Sequence, residues 1–303
     1  MKLSRRTFFK VNAAGAAALV ATPAAAHAAT AAAAPDAGGV LVDTTRCIGC
    51  RGCEAACAEA NRNPDPADDE RIFEQRRATD PRAFTVVNRI AAPDGGERFV
   101  KTQCMHCVDP ACASACPARA LEKQPNGAVT YEGSRCLGCR YCMMACPFDV
   151  PKFEYDKPVP YVKKCTFCAD RQAQGLPPAC VEICPSGALT FGTRAELIEE
   201  ARRRIYQEPG KYVPHVYGEH EAGGTSWLYI TDVPVETLPL PHGLRQASYP
   251  QLTDTALSAV PVVMTLWPPL LMGLYTFFGR GGHAGGHGDA PVPGGATKED
   301  RHA

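Results

Sequence analysis

No excess of either charge runs through the sequence. Its 32 Lys and Arg balance 32 Asp and Glu, leaving a formal net charge of zero and no global electrostatic case for nucleic-acid binding. The usual marks of a self-contained catalyst are also missing: there is no Gly-rich nucleotide loop, no Ser–His–Asp signature and no flavin motif. No C-x-x-C is followed by His, which excludes covalent c-type haem. Nor is any cysteine left over, because all 16 fall into four groups of four. A chain of 303 residues, 45% hydrophobic and 21% charged, is not disordered by composition and suggests about two domains. Gly and Pro, 27 of each, point to loops rather than long helices.

The cysteines carry the chemistry. Group one is Cys47, Cys50, Cys53 and Cys57; group two is Cys104, Cys107, Cys112 and Cys116. Group three is Cys136, Cys139, Cys142 and Cys146; group four is Cys165, Cys168, Cys180 and Cys184. Groups one and three share the run C-x2-C-x2-C-x3-C, the bacterial ferredoxin spacing for 4Fe–4S clusters. Groups two and four keep the opening C-x2-C and the closing C-x3-C, with four and eleven residues between them. Pro117, Pro147 and Pro185 directly follow the last cysteine of three groups, while group one has Ala58 there. Three thiolates spaced by two residues wrap one cubane from a tight loop. The fourth, a short step further, points away and ligates the neighbouring cluster. Gly49 and Gly138 precede the second cysteine of their groups, where a missing Cβ lets the backbone approach a cluster. Sixteen thiolates at four per cluster make four clusters. Disulfides fit poorly, since C-x2-C-x2-C runs have the wrong geometry. Structural zinc would use paired C-x2-C units without the third regular cysteine.

Both ends carry targeting signals. Ser4-Arg5-Arg6-Thr7-Phe8-Phe9-Lys10 followed by an Ala-rich, uncharged run reads as a twin-arginine export signal over 1–28, with cleavage near Ala28. That route carries folded proteins, so clusters can be inserted before the thiols meet an oxidising compartment. Residues 256–278 are uncharged and, at about 1.5 Å per residue, long enough for a bilayer core of about 30 Å. Pro261, Pro268 and Pro269 interrupt this predicted transmembrane helix, and Arg280 beyond it agrees weakly with a cytoplasmic C-terminal side. The tail 279–303 is Gly-rich and holds His283, His287 and His302, and reads as disordered.

Between the groups, Gln124-Pro125-Asn126-Gly127 predicts a hairpin turn between two short strands over 120–131. A further strand is expected over 187–191. Thr193 with Glu196 makes a capping box opening an amphipathic helix to about Tyr206. The 58–103 insertion is polar at Asn61–Glu70 and reads as surface loop, with one short strand near Phe99–Lys101. Spacing does not decide which groups pair. Groups two and three are adjacent, and so are three and four; the hairpin resembles the link inside a two-cluster ferredoxin and favours two with three.

The four-group pattern resembles the iron–sulfur subunits of membrane-bound respiratory oxidoreductases such as formate dehydrogenase and dimethyl sulfoxide or nitrate reductases. The export signal, the C-terminal anchor, Lys101-Thr-Gln-Cys-Met-His-Cys-Val-Asp-Pro110 and Tyr217-Gly-Glu-His-Glu-Ala-Gly-Gly-Thr225 resemble the periplasmic hydrogenase-2 (HybA-type) family over nearly the whole chain. The resemblance implies an α+β, loop-rich fold of two nested bacterial-ferredoxin-like domains plus one C-terminal transmembrane helix. The outer domain would take 40–103 and 160–192, the inner domain 104–159, and a partner-docking extension 193–252. It implies four 4Fe–4S clusters: one on Cys47, Cys50, Cys53 and Cys184, and one on Cys57, Cys165, Cys168 and Cys180. A third lies on Cys104, Cys107, Cys112 and Cys146, and a fourth on Cys116, Cys136, Cys139 and Cys142. It also implies electron exchange between hydrogenase catalytic subunits, or those of a molybdenum or tungsten enzyme, and a quinone-reactive or cytochrome b-type subunit in the inner membrane. The location would be the periplasmic face of that membrane.

Two function classes compete. All cysteines are consumed as ligands and no open metal site is visible, which favours a non-catalytic electron-transfer subunit over a reductase using a cluster as active site. His215 and His220 are isolated, and His106, between two ligands, tunes the site or hydrogen-bonds it rather than replacing a thiolate. Arg46, Arg135 and Lys164 precede first cysteines, and Arg51 and Arg140 follow second cysteines. Cations beside anionic clusters favour reduction and raise the potential.

Overall fold

Gly38–Asp43 forms β1, a strand whose Val40, Leu41 and Val42 are all buried. A strand apolar on both faces must be covered on both sides. The computed structural model, which describes residues 37–278 apart from Pro93, places β1 at the centre of a three-stranded sheet. The predicted export segment with Arg5 and Arg6, and the tail with His283, His287 and His302, lie outside the described residues.

Beyond β1, the chain runs in order through α1 (Gly52–Asn61), β2 (Thr85–Ala91), β3 (Glu97–Gln103), α2 (Ala111–Ser114), β4 (Leu121–Lys123) and β5 (Val129–Tyr131). It continues through α3 (Tyr141–Ala145), β6 (Lys152–Phe153), β7 (Val162–Lys163), α4 (Ala169–Gln172), α5 (Ala179–Glu182) and β8 (Leu189–Thr193). The last elements are α6 (Arg194–Gln207), β9 (Trp227–Ile230) and α7 (Tyr249–Phe278).

β1 pairs antiparallel with β8, Val40 opposite Phe191, and parallel with β9, Val40 opposite Trp227. Side chains alternate between faces along a strand. Leu41, Leu228 and Ile230 therefore meet Leu197 and Ala201 of α6 on one side. Val40, Val42, Trp227 and Tyr229 turn the other way, into a core shared with Cys57, Cys104, Cys165 and Cys180. The sheet is a wall with a helix on one face and the cysteines on the other.

Local signals placed several elements. The hairpin forms as β4–β5, with Gly127 at φ +88° in the turn. The expected strand forms as β8, and the capping box is present in both directions, opening α6. In the 58–103 segment the expected strand near Phe99–Lys101 is present within β3, and the rest differs from its reading as surface loop. The polar stretch near Asn61–Glu70 is irregular, but Thr85 to Gln103 builds a fully paired hairpin, Thr85 opposite Gln103 through Ala91 opposite Glu97. The β-branched residues Thr85, Val86, Val87 and Ile90 supply the strand preference that the polar run before them masked. Within the 193–252 stretch, β9 is a strand of the central sheet, and Trp227, Leu228, Tyr229 and Ile230 are fully buried.

Among the short helices, α1 packs on α5 and α2 packs on α3. Taken by itself, α7 is one apolar helix long enough to cross a membrane, with Pro261, Pro268 and Pro269 inside it. It begins seven residues before the expected span, at Tyr249.

Candidate iron–sulfur centres

The first loop leaves the end of β1. Asp43, fully buried, accepts Tyr212 Oη at 2.9 Å and pairs with Arg204 at 3.3 Å and Arg46 at 3.3 Å, so the strand end is anchored to the α6 side of the sheet. From there Cys47 and Cys50 turn around Gly49 at φ +71°. A Cβ on Gly49 would sit 2.6 Å from the Phe99 ring, so the loop closes against β3 only with glycine. Cys53 and Cys57 follow on α1, one turn apart on one face.

Buried Glu54 ties that helix to the β2–β3 hairpin. Its carboxylate accepts Val87 N–H at 2.6 Å, Arg77 Nη2 at 2.5 Å and Arg51 Nη2 at 2.9 Å.

α5 brings Cys180 against α1, with Cys184 beyond its end. Cys47, Cys50, Cys53 and Cys184 line one cavity, walled by Val42, Val87, Lys101 and Leu189. Burial raises the Cys47 thiol, the Gly49 amide opposes that, and Cys184 and Cys50 add to it. Burial pushes Cys57 up to about 12, with Lys101 opposing and Cys180 and Cys168 reinforcing. Cys165 is held well above the usual thiol range, first by burial and then by Cys57 and Cys104.

Groups two and three form a second set. Cys116, Cys136, Cys139 and Cys142 line a cavity with Leu121, Tyr131, Leu137 and Val162. Burial pushes Cys142 up to about 11, with Cys116 and Cys136 adding to the rise. Cys146 is likewise pushed to about 11 by burial, opposed by the Val150 amide and reinforced by Cys104. Burial, Cys146 and Cys104 raise Cys112 in the same way. The loop of group two is clamped by the Tyr217–Thr225 motif and the residue after it: Val108 N–H donates to Gly224 O at 2.9 Å and Ser226 N–H to Met105 O at 3.1 Å. Gly218, at φ +95°, has no room for a side chain, because a Cβ would lie 2.3 Å from Trp227 O.

The donor set fits an iron–sulfur cluster. All 16 thiols are free. Thiols raised by burial keep their protons until a metal replaces them. Amides are placed to stabilise the sulfur once ionised: Ala120 N–H reaches Cys116 Sγ at 3.2 Å, and Gly138 and Phe167 N–H reach Cys136 and Cys165 Sγ at 3.4 Å each. Among the described residues no three Cys, His, Asp or Glu side chains close on a point for a single ion. Four sulfurs around one zinc, each at about 2.3 Å, would crowd more closely than four at the corners of a cubane.

His106 is fully buried at φ +47° and stacks on Phe167, 4.8 Å between centroids. Its Nδ1 accepts Val129 N–H at 2.9 Å, which leaves the proton of the neutral ring on Nε2. Burial, then Lys164, Lys123 and Lys101, hold the ring well below the usual histidine range. Nε2 has no partner among the described residues, an orphan donor within the group-two loop.

The charge pattern beside the cysteines is largely matched. Arg46 pairs with Asp43, Arg51 with Glu54 and Arg135 with Glu122, while Arg140 lies 5.7 Å over the rings of Phe153 and Tyr155. Buried Lys164 donates to the carbonyls of Val129 and Cys165. His215 pairs with Glu221 at 2.7 Å and His220 with Glu219 at 3.4 Å, both at the surface. The residue that sequence reasoning passed over is Lys101, which reaches the group-one cavity from the middle of β3. Its only signal was position, a lysine sharing a strand face with Phe99 and Gln103.

Comparison with known proteins comes to the same chemistry. The family described as "4Fe-4S dicluster domain" matches residues 97–194, which include groups two, three and four. A protein of Nitratidesulfovibrio vulgaris (strain Hildenborough) is 50% identical over 287 residues, 92% of this chain and 78% of that one. The hydrogenase-2 operon protein HybA of Escherichia coli O157:H7 is 39% identical over 278 residues, 79% of this chain and 84% of its own. The formate dehydrogenase-O iron–sulfur subunit of Escherichia coli K12 is 35% identical over 245 residues, 76% of each.

Proposed function

The chain belongs to the family of HybA-type hydrogenase-2 and formate dehydrogenase iron–sulfur proteins, and from that premise we propose that it passes electrons through four 4Fe–4S clusters and has no substrate of its own. The electrons run between a periplasmic [NiFe]-hydrogenase and a quinone-reactive or cytochrome b-type subunit of the inner membrane. Each cluster, when bound, supplies a one-electron redox centre. The protein's part is to hold the thiolates and shield them from water, all but the exposed Cys50 and Cys139 being buried or half-buried.

The ligand sets are those of two nested ferredoxin-like domains. Cys47, Cys50, Cys53 and Cys184 hold one cluster, and Cys57, Cys165, Cys168 and Cys180 the second. Cys104, Cys107, Cys112 and Cys146 hold the third, and Cys116, Cys136, Cys139 and Cys142 the fourth. The observation carrying this reading is the pair of cavities in which three cysteines of one group meet the last cysteine of another: Cys184 with group one, Cys116 with group three. The packing of α1 on α5 and of α2 on α3 supports the same pairing. Iron and acid-labile sulfide analysis of the purified protein tests the count, with 16 irons per chain expected.

The same reading has the chain exported folded through Arg5 and Arg6, held at the periplasmic face and anchored by α7, with the 193–252 region docking partners. Formate dehydrogenase is the second reading, favoured by relatives of that name at 35% and 36% identity. Detergent co-purification and identification of the large subunit separates the two.

A further inference from the structure

Lys101 is an ammonium in the wrong place for an ordinary lysine. Its side chain is 2% exposed, in the middle of β3. Nζ donates to Thr85 Oγ1 at 2.6 Å and Gln103 Oε1 at 2.9 Å, and lies 4.4 Å over the Trp227 ring. All three neighbours are neutral. Among the described residues no carboxylate pairs with it, unlike Arg46, Arg51 and Arg135. A desolvated charge without a counter-ion is strongly unfavourable. Buried Lys164 and half-buried Lys123 resolve this with backbone acceptors: Lys123 donates to His106 O and Gly127 O, and Lys164 to Val129 O and Cys165 O. The Lys101 ammonium has neither a carboxylate nor a backbone carbonyl among its hydrogen-bond partners. The negative charge within its reach is that of ligand sulfur once a cluster is loaded: Lys101 lines the cavity of Cys47, Cys50, Cys53 and Cys184, and against burial, which lowers its affinity for the proton, Cys180, Cys53 and Cys165 raise it.

We propose that Lys101 is the fixed internal countercharge of the outer cluster pair, raising the reduction potential of the two clusters held around α1 and α5. The inference rests on the proposed ligation, since Cys53 belongs there to one cluster and Cys165 and Cys180 to the next. Thr85 and Gln103 orient the ammonium, and the Trp227 face stabilises it without cancelling its charge. Cluster potentials respond to net charge and burial, and a charge in a dry site is little screened by solvent. A lysine in the wall of one ligand set and within the electrostatic reach of the other thus biases both toward the reduced state.

The test is an EPR-monitored redox titration of the full chain in its complex, with iron content measured on every sample. Lys101→Met should lower two of the four midpoint potentials by about tenfold in the reduction equilibrium, or about 59 mV for one electron. Lys101→Arg, which keeps the charge, should stay close to wild type. Gln103→Glu places a carboxylate on the ammonium and should lower the same two potentials. It supplies the answer if Lys101→Met fails to load 16 irons. Four unchanged potentials in the neutralised variants would overturn the assignment, as would an Arg variant shifted as far as Met. A wild-type protein with fewer than four clusters would instead sink the ligation reading itself.

Discussion

Replacing Glu54 by alanine should loosen the outer half of the molecule. Glu54 is 4% exposed and accepts from the Val87 amide and from two arginines, whose side chains are 12% and 21% exposed. Removing one partner of a buried ion pair costs about 3–5 kcal/mol, because the remaining charge loses its counter-ion. Here both guanidiniums keep some access to water and can relax, so the lower end, about 3 kcal/mol, is expected. Glu54→Gln keeps an acceptor for Val87 N–H and should cost less, about 1–3 kcal/mol. Anaerobic unfolding in guanidinium chloride, followed by loss of visible cluster absorbance, reads this directly. With a slope of about 4 kcal/mol per molar, 3 kcal/mol lowers the midpoint by about 0.7 M. Because α1 carries Cys53 and Cys57, the proposed ligation has the two outer clusters bleach before the inner two. An alanine variant with a wild-type midpoint would refute the claim that Glu54 holds α1 to the hairpin.

Cys184→Ala should damage the cluster of Cys47, Cys50 and Cys53 while sparing that of Cys165, Cys168 and Cys180, and Cys57→Ala the reverse, as seen by spectroscopy of each variant. Damage to the cluster of Cys136, Cys139 and Cys142 on losing Cys184 would mean that groups three and four are the true pair. A stop codon after Gln251 should release a soluble protein that keeps all its iron, since no cysteine lies beyond Cys184. Continued membrane association of that truncation in high salt and without partners would exclude 256–278 as the anchor. Arg5-Arg6→Lys-Lys should strand cluster-loaded protein in the cytoplasm, and fractionation finding it in the periplasm would contradict twin-arginine export.

What could be read in the sequence was what is local. Thr193 and Glu196 cap α6 from three residues apart, Gly127 turns β4 into β5, and each C-x2-C defines its own loop. What escaped depends on long-range pairing. β1 meets β9 in parallel, so Asp43 finds Arg204 and Tyr212 only once the sheet is assembled. The β2–β3 hairpin was hidden behind a polar run that is itself irregular. Lys101 stood out only as part of a motif, because its neighbours Trp227 and Tyr229 belong to a strand that no local signal joins to β3. The partners of the cysteine groups were open for the same reason, since spacing describes a loop and pairing is a property of the packed helices.

The central claim is that 16 thiolates hold four cubanes by nested ligation. Its most direct test is a crystal structure of the anaerobically purified protein with anomalous data collected at the iron edge. The account predicts four compact groups of four irons, with Cys184 bound to the group held by Cys47, Cys50 and Cys53, and Cys57 bound to the group held by Cys165, Cys168 and Cys180. Fewer than four iron groups, single metal ions, or Cys184 bound to the group held by Cys136, Cys139 and Cys142 would contradict it.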